Sequence, residues 1–487
     1  MNIPKYSRFK LNDKILQQKK FKNLKKLRVS HKITQKGISK LNLIELDIGK
    51  NKYIRDVSFM NKLKKLSVEN NYVIDQNGIR GLDLLEFNAS YNKRIQDVSF
   101  MKNLKILHAS DAYGIGQKII QNLDLVELHV DNNTMIYNVS FMKNLKILNA
   151  SGDCGINQKG IQGLDLIELK VSNNVNIKNI SFMKNLKRLD ASFKCGIDQK
   201  SINHLNLIEL HAGHNEHIIN VSHMKNLKIL NVNNKCGIDQ NGIQGLDLFE
   251  LYASRNKKIK NVIFMKNLKI LHADDNCGID QNGIKGLDLI ELHMSNNSKI
   301  KNVSFMKNLK VLDASHKCGI DQDGIERLDL IELNMSINKK IKNVSFMKNL
   351  KILDMNFECG IDQDGIRGLN LIKLNVYNNE KIKNVSFMKN LKKLKIGGRC
   401  GIDQKGIKNL DLIELNISGN EKITDVSFMK HLKILDIDGR CGIDQNGIRK
   451  LDSMELNITD NTKINDISFM KNLIIFIDRR GYLKNMK

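Results

Sequence analysis

A 41-residue segment recurs along almost the whole chain, and its period constrains the fold more than any other feature. Residues 302–342 read NVSFMKNLKVLDASHKCGIDQDGIERLDLIELNMSINKKIK. A phenylalanine marks the register at steps of 41, with His223 as the one substitution. Its positions are Phe59, Phe100, Phe141, Phe182, Phe264, Phe305, Phe346, Phe387, Phe428 and Phe469. A fixed period of this length predicts a solenoid in which each repeat packs on its neighbours, rather than several globular domains.

Each 41-residue unit contains two related halves. One half reads L-x-x-L-x-A/V-x-x-x-C-G-I, as from Leu145, and the other reads L-x-x-L-x-V/M-x-x-N, as from Leu125. The halves are 21 and 20 residues long, because Leu104, Leu125 and Leu145 begin successive copies. Alternate residues of a strand point to opposite faces, so L-x-L predicts a short strand with its leucines inward. One strand per half predicts a sheet of parallel strands.

The other side of each half should consist of tight turns. The pattern D-Q-x-G-I-x-x-L predicts a short helix with Asp321 as its N-cap, and V-S-F-M-K-N-L predicts one helical or 3-10 turn capped by Ser304. We expect Phe305 and its counterparts to stack into a buried aromatic spine.

These halves resemble the leucine-rich repeat family, whose pattern is L-x-x-L-x-L-x-x-N/C-x-L. The resemblance covers residues 24–473 as eleven double repeats, with residues 1–23 as an N-terminal cap and 474–487 as a C-terminal cap and basic tail. It implies an α/β solenoid, an arc with a parallel sheet on the concave face and short helical or 3-10 turns on the convex face. It also implies protein binding on the concave face. The Asn-, Lys- and Ile-rich composition and the unpaired thiols more narrowly resemble leucine-rich repeat proteins of giant amoebal viruses or AT-rich protists.

Two columns are interpreted as structural, one of asparagines within the turns and one of semi-buried cysteines. An amide both donates and accepts hydrogen bonds, so an asparagine column can satisfy backbone groups of successive turns. Its main members are Asn92, Asn133, Asn174, Asn215, Asn256, Asn297, Asn338, Asn379 and Asn420. All eight cysteines lie on the 41-residue lattice. Equivalent positions two strands apart are too distant for disulfides, so the thiols are expected to be free, as in a reducing compartment.

Two charged columns alternate on the strand face. Glutamate precedes the second leucine of the 20-residue half, as at Glu86 and Glu127, with Lys373 as the exception. Lysine follows the first leucine of the 21-residue half, as at Lys64, Lys105 and Lys146. We favour a ladder of exposed Glu–Lys ion pairs over a striped binding surface, although each such pair would stabilise the fold by only about 0.2–1 kcal/mol.

The most varied column follows the second leucine, and ligand specificity could be encoded there. Its candidate protein-binding residues are His129, Lys170, Asp190, His211, Tyr252, His272, His293 and Asp313. Neighbouring strands would bring His272, His293 and Asp313 close enough to hold zinc. Solvated or mutually hydrogen-bonded side chains are the favoured interpretation, so we assign no metal site and no cofactor.

The net charge is +27, which suggests an anionic partner such as nucleic acid or an acidic membrane surface. An AT-biased genome explains the lysine excess equally well, and it is the favoured explanation. A regular lysine strip could still contact phosphates; it comprises Lys102, Lys143, Lys184, Lys225, Lys266, Lys307, Lys348, Lys389, Lys430 and Lys471.

Catalytic signatures are missing from the sequence. There is no P-loop, G-x-S-x-G or H-E-x-x-H motif, and no signal peptide or apolar segment long enough to cross a bilayer. The sequence therefore predicts a monomeric, intracellular, non-enzymatic scaffold that binds an unidentified protein in the cytoplasm, either of its own cell or of a host. Binding of nucleic acid or membrane through the lysines is the alternative.

Overall fold

The computed structural model describes residues 13–18, 21, 23–29, 33–112, 114–453, 455–470, 473, 475–477 and 483–485. Most of the predicted N-terminal cap, and much of the C-terminal cap and tail, lie outside these residues. The chain forms two compact units, Met1–Leu246 and Asp247–Lys487. Within the described ranges, no helix combines the length and the apolar composition that a membrane span requires.

The first unit contains a parallel sheet of three-residue strands, in which each strand pairs with the next along the chain. The strands are β1 (Lys26–Arg28), β2 (Glu45–Asp47), β3 (Lys65–Ser67), β4 (Glu86–Asn88), β5 (Ile106–His108), β6 (Glu127–His129), β7 (Ile147–Asn149), β8 (Glu168–Lys170), β9 (Arg188–Asp190), β10 (Glu209–His211) and β11 (Ile229–Asn231).

The second unit repeats this arrangement, and its last strand pairs antiparallel with the strand before it. The strands are β12 (Glu250–Tyr252), β13 (Ile270–His272), β14 (Glu291–His293), β15 (Val311–Asp313), β16 (Glu332–Asn334), β17 (Ile352–Asp354), β18 (Lys373–Asn375), β19 (Lys393–Lys395), β20 (Glu414–Asn416), β21 (Ile434–Asp436), β22 (Glu455–Asn457), β23 (Ile475–Ile477) and β24 (Leu483–Asn485).

The leucine of L-x-L sets the register in both units. Leu128 of β6 pairs with Leu148 of β7, and Leu148 pairs with Leu169 of β8. All three leucines are fully buried, whereas the residues on either side of each one are half-buried on the outer face of the sheet. Because the side-chain period of a strand is two, this register keeps the central residues of β1 to β22 in the core.

The predicted short helices occur as single turns of α or 3-10 helix. The α-helical turns are α1 (Asp13–Leu16), α2 (Gln35–Ile38), α3 (Gln117–Ile120) and α4 (Gln199–Ile202). The 3-10 turns are Asn77–Ile79, Lys159–Ile161, Asn241–Ile243, Asn282–Ile284, Asp323–Ile325, Asp364–Ile366, Lys405–Ile407 and Asn446–Ile448. The parallel strands and these short turns confirm the predicted α/β solenoid.

The aspartate of D-Q-x-G-I caps these turns. The Asp321 carboxylate accepts a hydrogen bond from the Gly324 amide at 3.1 Å, and the Asp198 carboxylate accepts one from the Ser201 amide at 3.0 Å. A carboxylate near the start of a helical turn satisfies amides that have no partner within the turn.

Two predictions for the V-S-F-M segment are wrong. Phe305 and its counterparts form no buried spine, because Phe305 is 37 % exposed while the neighbouring Met306 is fully buried. The turn bond from the Met306 amide to the Val303 carbonyl directs methionine inward and phenylalanine outward. Asn302, rather than Ser304, supplies the cap, because its side-chain oxygen accepts from the Ser304 amide at 2.9 Å and from the Ser304 hydroxyl at 2.8 Å.

The eight cysteines are buried and free. The Cys318 thiol donates to the Ala314 carbonyl at 2.9 Å, and burial raises the pKa of this thiol to about 11. The Cys318 thiol is therefore neutral in the folded protein at neutral pH. Its contribution to stability is present below pH 9, the ordinary thiol pKa, and is lost as the pH rises toward 11.

The thiols should react slowly in the folded protein. A pKa two units above normal lowers the thiolate fraction about 100-fold at pH 8, and burial slows access further. We expect alkylation with iodoacetamide at pH 8 to be at least about 100-fold slower in buffer than in guanidinium chloride, as read by mass spectrometry. Rapid modification of most thiols in the native protein would contradict this packing.

Candidate binding surface

In strands β1 to β22 the first and third residues face outward, and together with the exposed apolar residue that precedes the strand in most 20-residue halves they form the surface here called the strand face. In β6, Glu127 and His129 are half-buried on this face while Leu128 between them is fully buried. Because successive strands pair in register, each outward position forms a continuous row along the sheet of its unit.

The varied column occupies the third residue of its strands, as the period predicts. In the first unit it contributes His129 of β6, Lys170 of β8, Asp190 of β9 and His211 of β10. In the second unit it contributes Tyr252 of β12, His272 of β13, His293 of β14 and Asp313 of β15. All eight side chains are half-buried.

Three of these residues meet in one depression in the first unit. Lys170, Asp190 and His211 lie on adjacent strands in register. They line a depression of about 370 Å³ together with Glu168, Arg188 and Glu209. Opposite charges alternate around this depression, which suits a polar or charged group of a ligand.

Aromatic rings stack along the varied column. Tyr252 stacks on His272 with 4.3 Å between ring centroids, and His272 stacks on His293 with 4.4 Å and an interplanar angle of 3°. In the first unit, His108 stacks on His129 at 4.3 Å. Each ring is therefore held by its neighbour on the next strand.

The Asp313 carboxylate is not directed toward the stacked rings of His272 and His293. It accepts from the Ser315 amide at 3.0 Å and from the Asn334 side chain at 3.1 Å, which turns it toward the next strand. The carboxylate that reaches the histidines is Glu291, whose Oε1 lies 2.6 Å from His293 Nε2. The prediction from sequence named Asp313 because it considered only residues on neighbouring strands, whereas residues two apart on one strand also share a face and long side chains can meet there.

The expected Glu–Lys ladder is wrong for the lysine column. Lys105 pairs with Asp124 at 2.8 Å and donates to the Asp124 carbonyl at 3.1 Å. Lys64, Lys146, Lys269 and Lys392 likewise donate to backbone carbonyls of the following half, at 3.2–3.5 Å. These lysines precede their strands, so their side chains reach the preceding turn of the next coil rather than its glutamate.

The glutamates instead pair with groups on the strand face itself. Glu45 pairs with Lys26 and Glu414 with Lys393, each at 2.7 Å and in register on the adjacent strand. Arg188 pairs with Glu168, also at 2.7 Å. The Lys26–Glu45 and Lys393–Glu414 pairs are partly exposed, so they contribute little to stability and fix charge positions on the surface.

An exposed apolar row was not identified from the sequence. It lies immediately before the strand in nine of the 20-residue halves, where the residues are 39–46 % exposed. Its members are Ile44, Leu85, Val126, Ile167 and Ile208 in the first unit, and Phe249, Ile290, Ile331 and Ile372 in the second. The row could have been found from the apolar residue that recurs between the leucine and the glutamate of L-I-E-L.

A second apolar residue lies beside most members of this row. The Ile290 carbonyl accepts from the Val311 amide, and the Ile331 carbonyl accepts from the Ile352 amide, both at 3.1 Å. Val311 and Ile352 are half-buried at the start of their strands. The strand face thus carries apolar pairs interleaved with glutamates.

The asparagine column is fully buried within the turns. Asn297 Nδ2 donates to the carbonyls of Ala273 at 2.9 Å and Ile279 at 3.1 Å, and its Oδ1 accepts from the Lys299 amide at 3.0 Å. The other members are also at most 2 % exposed: Asn92, Asn133, Asn174, Asn215, Asn256, Asn338, Asn379 and Asn420. Through such contacts the Asn297 side chain hydrogen-bonds to the backbone of the preceding coil and of its own turn.

A glutamine column also joins coils and was not predicted. Gln281 Nε2 donates to the Asn302 carbonyl at 2.8 Å, while its Oε1 accepts from the amides of Lys301 at 2.9 Å and Asn302 at 2.8 Å. Gln117 makes the same three contacts in the first unit. The glutamine that recurs at every 41-residue step, most often after an aspartate, was the available signal.

The lysine strip is exposed on the turn segments from Lys102 to Lys430, and its last member, Lys471, lies outside the described residues. Lys143, Lys348 and Lys389 donate to the serine carbonyl three residues earlier, at 2.8–2.9 Å. Part of the strip is therefore engaged with its own turn.

The repeat, the parallel strands and the buried asparagines define the fold class as a leucine-rich repeat solenoid. No protein-family model matches the sequence, and no curated protein matches it. Among solved structures, the TLR13–ssRNA13 complex contains a chain with 18 % sequence identity and a TM-score of 0.49, over 94 % of this chain and 81 % of that one. The mouse RP105/MD-1 complex contains one with 15 % identity and a TM-score of 0.45, over 93 % of this chain and 85 % of that one.

Proposed function

We propose that this protein is a non-catalytic scaffold that binds a partner protein on its strand face. The observation that carries the proposal is the exposed apolar row, in which Ile290 and Ile331 are each 44 % exposed. Apolar side chains that recur in a continuous surface are typical of interaction sites. The adjoining residues of the varied column, His129, Lys170, Asp190, His211, Tyr252, His272, His293 and Asp313, would supply specificity.

The charges of the strand face support a protein over a polyanion. Except at Lys373 of β18, a glutamate stands on every second strand from β2 to β22, as at Glu250, Glu291 and Glu332, and would repel phosphates. Interfaces between proteins combine an apolar centre with polar and charged groups, as this face does. The scaffold acts as an intracellular monomer in this proposal, since eight free thiols are suited to a reducing compartment.

The binding face can be tested with two matched pairs of substitutions. The strand-face variant carries Ile290→Asp and Ile331→Asp, and the turn-side control carries Phe305→Asp and Phe346→Asp. All four side chains are exposed, and each variant adds two negative charges. We expect capture of a specific partner from the cell of origin to fall at least about tenfold with the strand-face variant, equivalent to about 1.4 kcal/mol, and to persist with the control. Loss of the partner with the control alone would contradict the proposal.

The alternative is binding of nucleic acid or an acidic membrane through the lysine strip. Contacts to phosphates release counterions, so such binding should weaken steeply between about 50 and 200 mM salt. We expect no binding to duplex DNA, single-stranded RNA or phosphatidylserine vesicles at 50 mM salt. Tight, salt-sensitive binding that is lost on replacing Lys307, Lys348 and Lys389 with glutamine would favour the alternative.

A further inference from the structure

Among the residues that the structure describes, a cluster of two histidines and one glutamate occurs once in each unit. His108 of β5 meets Glu127 and His129 of β6, and the ligating atoms of these three residues all lie within 4.8 Å of one another. The second cluster, His272 of β13 with Glu291 and His293 of β14, meets the same condition. We refer to these as the first and second triads.

The two triads occupy the same place in the repeat. Each residue of the second triad lies 164 residues, or four 41-residue repeats, after its counterpart in the first. A single histidine in the column does not make a triad: His211 contacts Glu209 at 2.7 Å, but its register neighbours are Asp190 and Asn231. The triad therefore requires histidines on two adjacent strands.

We propose that each triad binds a divalent transition-metal ion of the zinc class. Neutral imidazole and carboxylate groups are ordinary zinc ligands, and two histidines with one glutamate form a three-ligand set that leaves a fourth position open. Water, or a group from a bound partner, would complete the coordination. This function is separate from the proposed protein contact, although both use the strand face.

The required rearrangement is confined to side chains. Zinc bonds of about 2.0–2.2 Å in a tetrahedral arrangement place ligand atoms roughly 3.3 Å apart. Glu291 Oε1 and His293 Nε2, now 2.6 Å apart, would separate by less than about 1 Å. His272 and His293, now stacked almost parallel, would rotate so that their nitrogens point toward one ion. All three side chains lie on the outer face, so no core residue has to move.

The protonation states favour metal binding near neutral pH. Burial lowers the pKa of His272, and the adjacent His293 lowers it further. The pKa of His108 is lowered in the same way, by burial and then by His129. An imidazole with a pKa below 6.5 is neutral at pH 7.5, so a nitrogen lone pair is available to a metal ion.

Zinc titration of the full chain tests the proposal directly. Isothermal titration calorimetry at pH 7.5 with zinc chloride should give two zinc ions per chain. Glu291→Gln keeps the shape of the second triad and removes its negative ligand, so zinc binding there should weaken at least about tenfold while the first triad is unaffected. His272→Ala with His293→Ala should reduce the stoichiometry to one.

Two further variants provide controls. His211→Ala removes a histidine with the same glutamate contact but no second histidine, and it should leave the stoichiometry at two. Tyr252 provides a separate optical signal, because it stacks on His272 and the chain contains no tryptophan. Zinc should change the tyrosine fluorescence of the wild type, and Tyr252→Phe should lose most of this change while retaining both ions.

Absence of zinc binding at about 0.1 mM would overturn the proposal, because a three-ligand site should bind far more tightly. A stoichiometry that is unchanged by Glu291→Gln and by the double histidine variant would also overturn it.

Discussion

Replacing Gly319 with alanine should destabilise the second unit by about 3–5 kcal/mol, at or above the upper end of the usual range for overpacking a buried site. A Cβ at Gly319 would lie 2.2 Å from the Ile300 carbonyl oxygen and 2.7 Å from the Ser298 carbonyl oxygen. Both obstructing atoms are backbone, so no side-chain rotation relieves the contact. The Gly319 amide also donates to the Asn297 carbonyl at 2.8 Å, which holds the two coils at this distance.

Gly286→Ala is the matched control for this change. Gly286 has a φ of +78°, and a Cβ there would meet nothing within 4 Å. Alanine at this site should cost only about 1–2 kcal/mol, the penalty for a left-handed backbone. Guanidinium unfolding followed by circular dichroism measures both variants, and hydrogen exchange locates the loss of protection around residues 297–320. Equal effects of the two alanines would refute close coil contact as the reason for the glycine of C-G-I.

Replacing Asn297 with alanine should destabilise the fold by about 2–4 kcal/mol. The substitution leaves the Lys299 amide and the carbonyls of Ala273 and Ile279 without the hydrogen bonds that the Asn297 side chain now provides. An unsatisfied buried polar group costs about 1–3 kcal/mol, and Asn297 is fully buried, so water cannot replace the amide without opening the turn.

Asn308→Ala is the control that shows whether the effect of Asn297→Ala comes from losing a buried hydrogen bond or from losing any side-chain hydrogen bond. The exposed Asn308 also bonds through its side chain, to Asp288, yet solvent can replace it there. This variant should cost less than about 1 kcal/mol. Chemical unfolding under identical conditions should therefore rank Asn297→Ala well above Asn308→Ala, and a reversed ranking would mean that the asparagine column does not join the coils.

The strands could be predicted from the sequence because the two-residue spacing of L-x-L matches the alternation of side chains along a strand. Leu128, Leu148 and Leu169 are buried in register for that reason alone. The turns have no such period, so the order of Phe305 and Met306 could not be derived from it. There, one backbone hydrogen bond decides which of two apolar side chains enters the core.

Side-chain contacts on the surface were less predictable than backbone positions. The column containing His272, His293 and Asp313 was correctly placed on the strands, but the direction of the Asp313 carboxylate depends on Ser315 and Asn334. Lys105 similarly reaches Asp124 rather than a glutamate, because a long side chain can contact several groups at similar cost. The group that a surface side chain contacts depends on competition among several nearby partners, and a repeat pattern does not encode that competition.

Hydroxyl-radical footprinting of the partner-bound protein tests the binding face most directly, because it reports the solvent accessibility of individual side chains. In the free protein Ile290, Ile331, Phe305 and Phe346 are all exposed, so each should be oxidised. A partner bound to the strand face should protect Ile290 and Ile331 severalfold and leave Phe305 and Phe346 unchanged. Protection of the two phenylalanines, with unaltered oxidation of the two isoleucines, would contradict binding on the strand face.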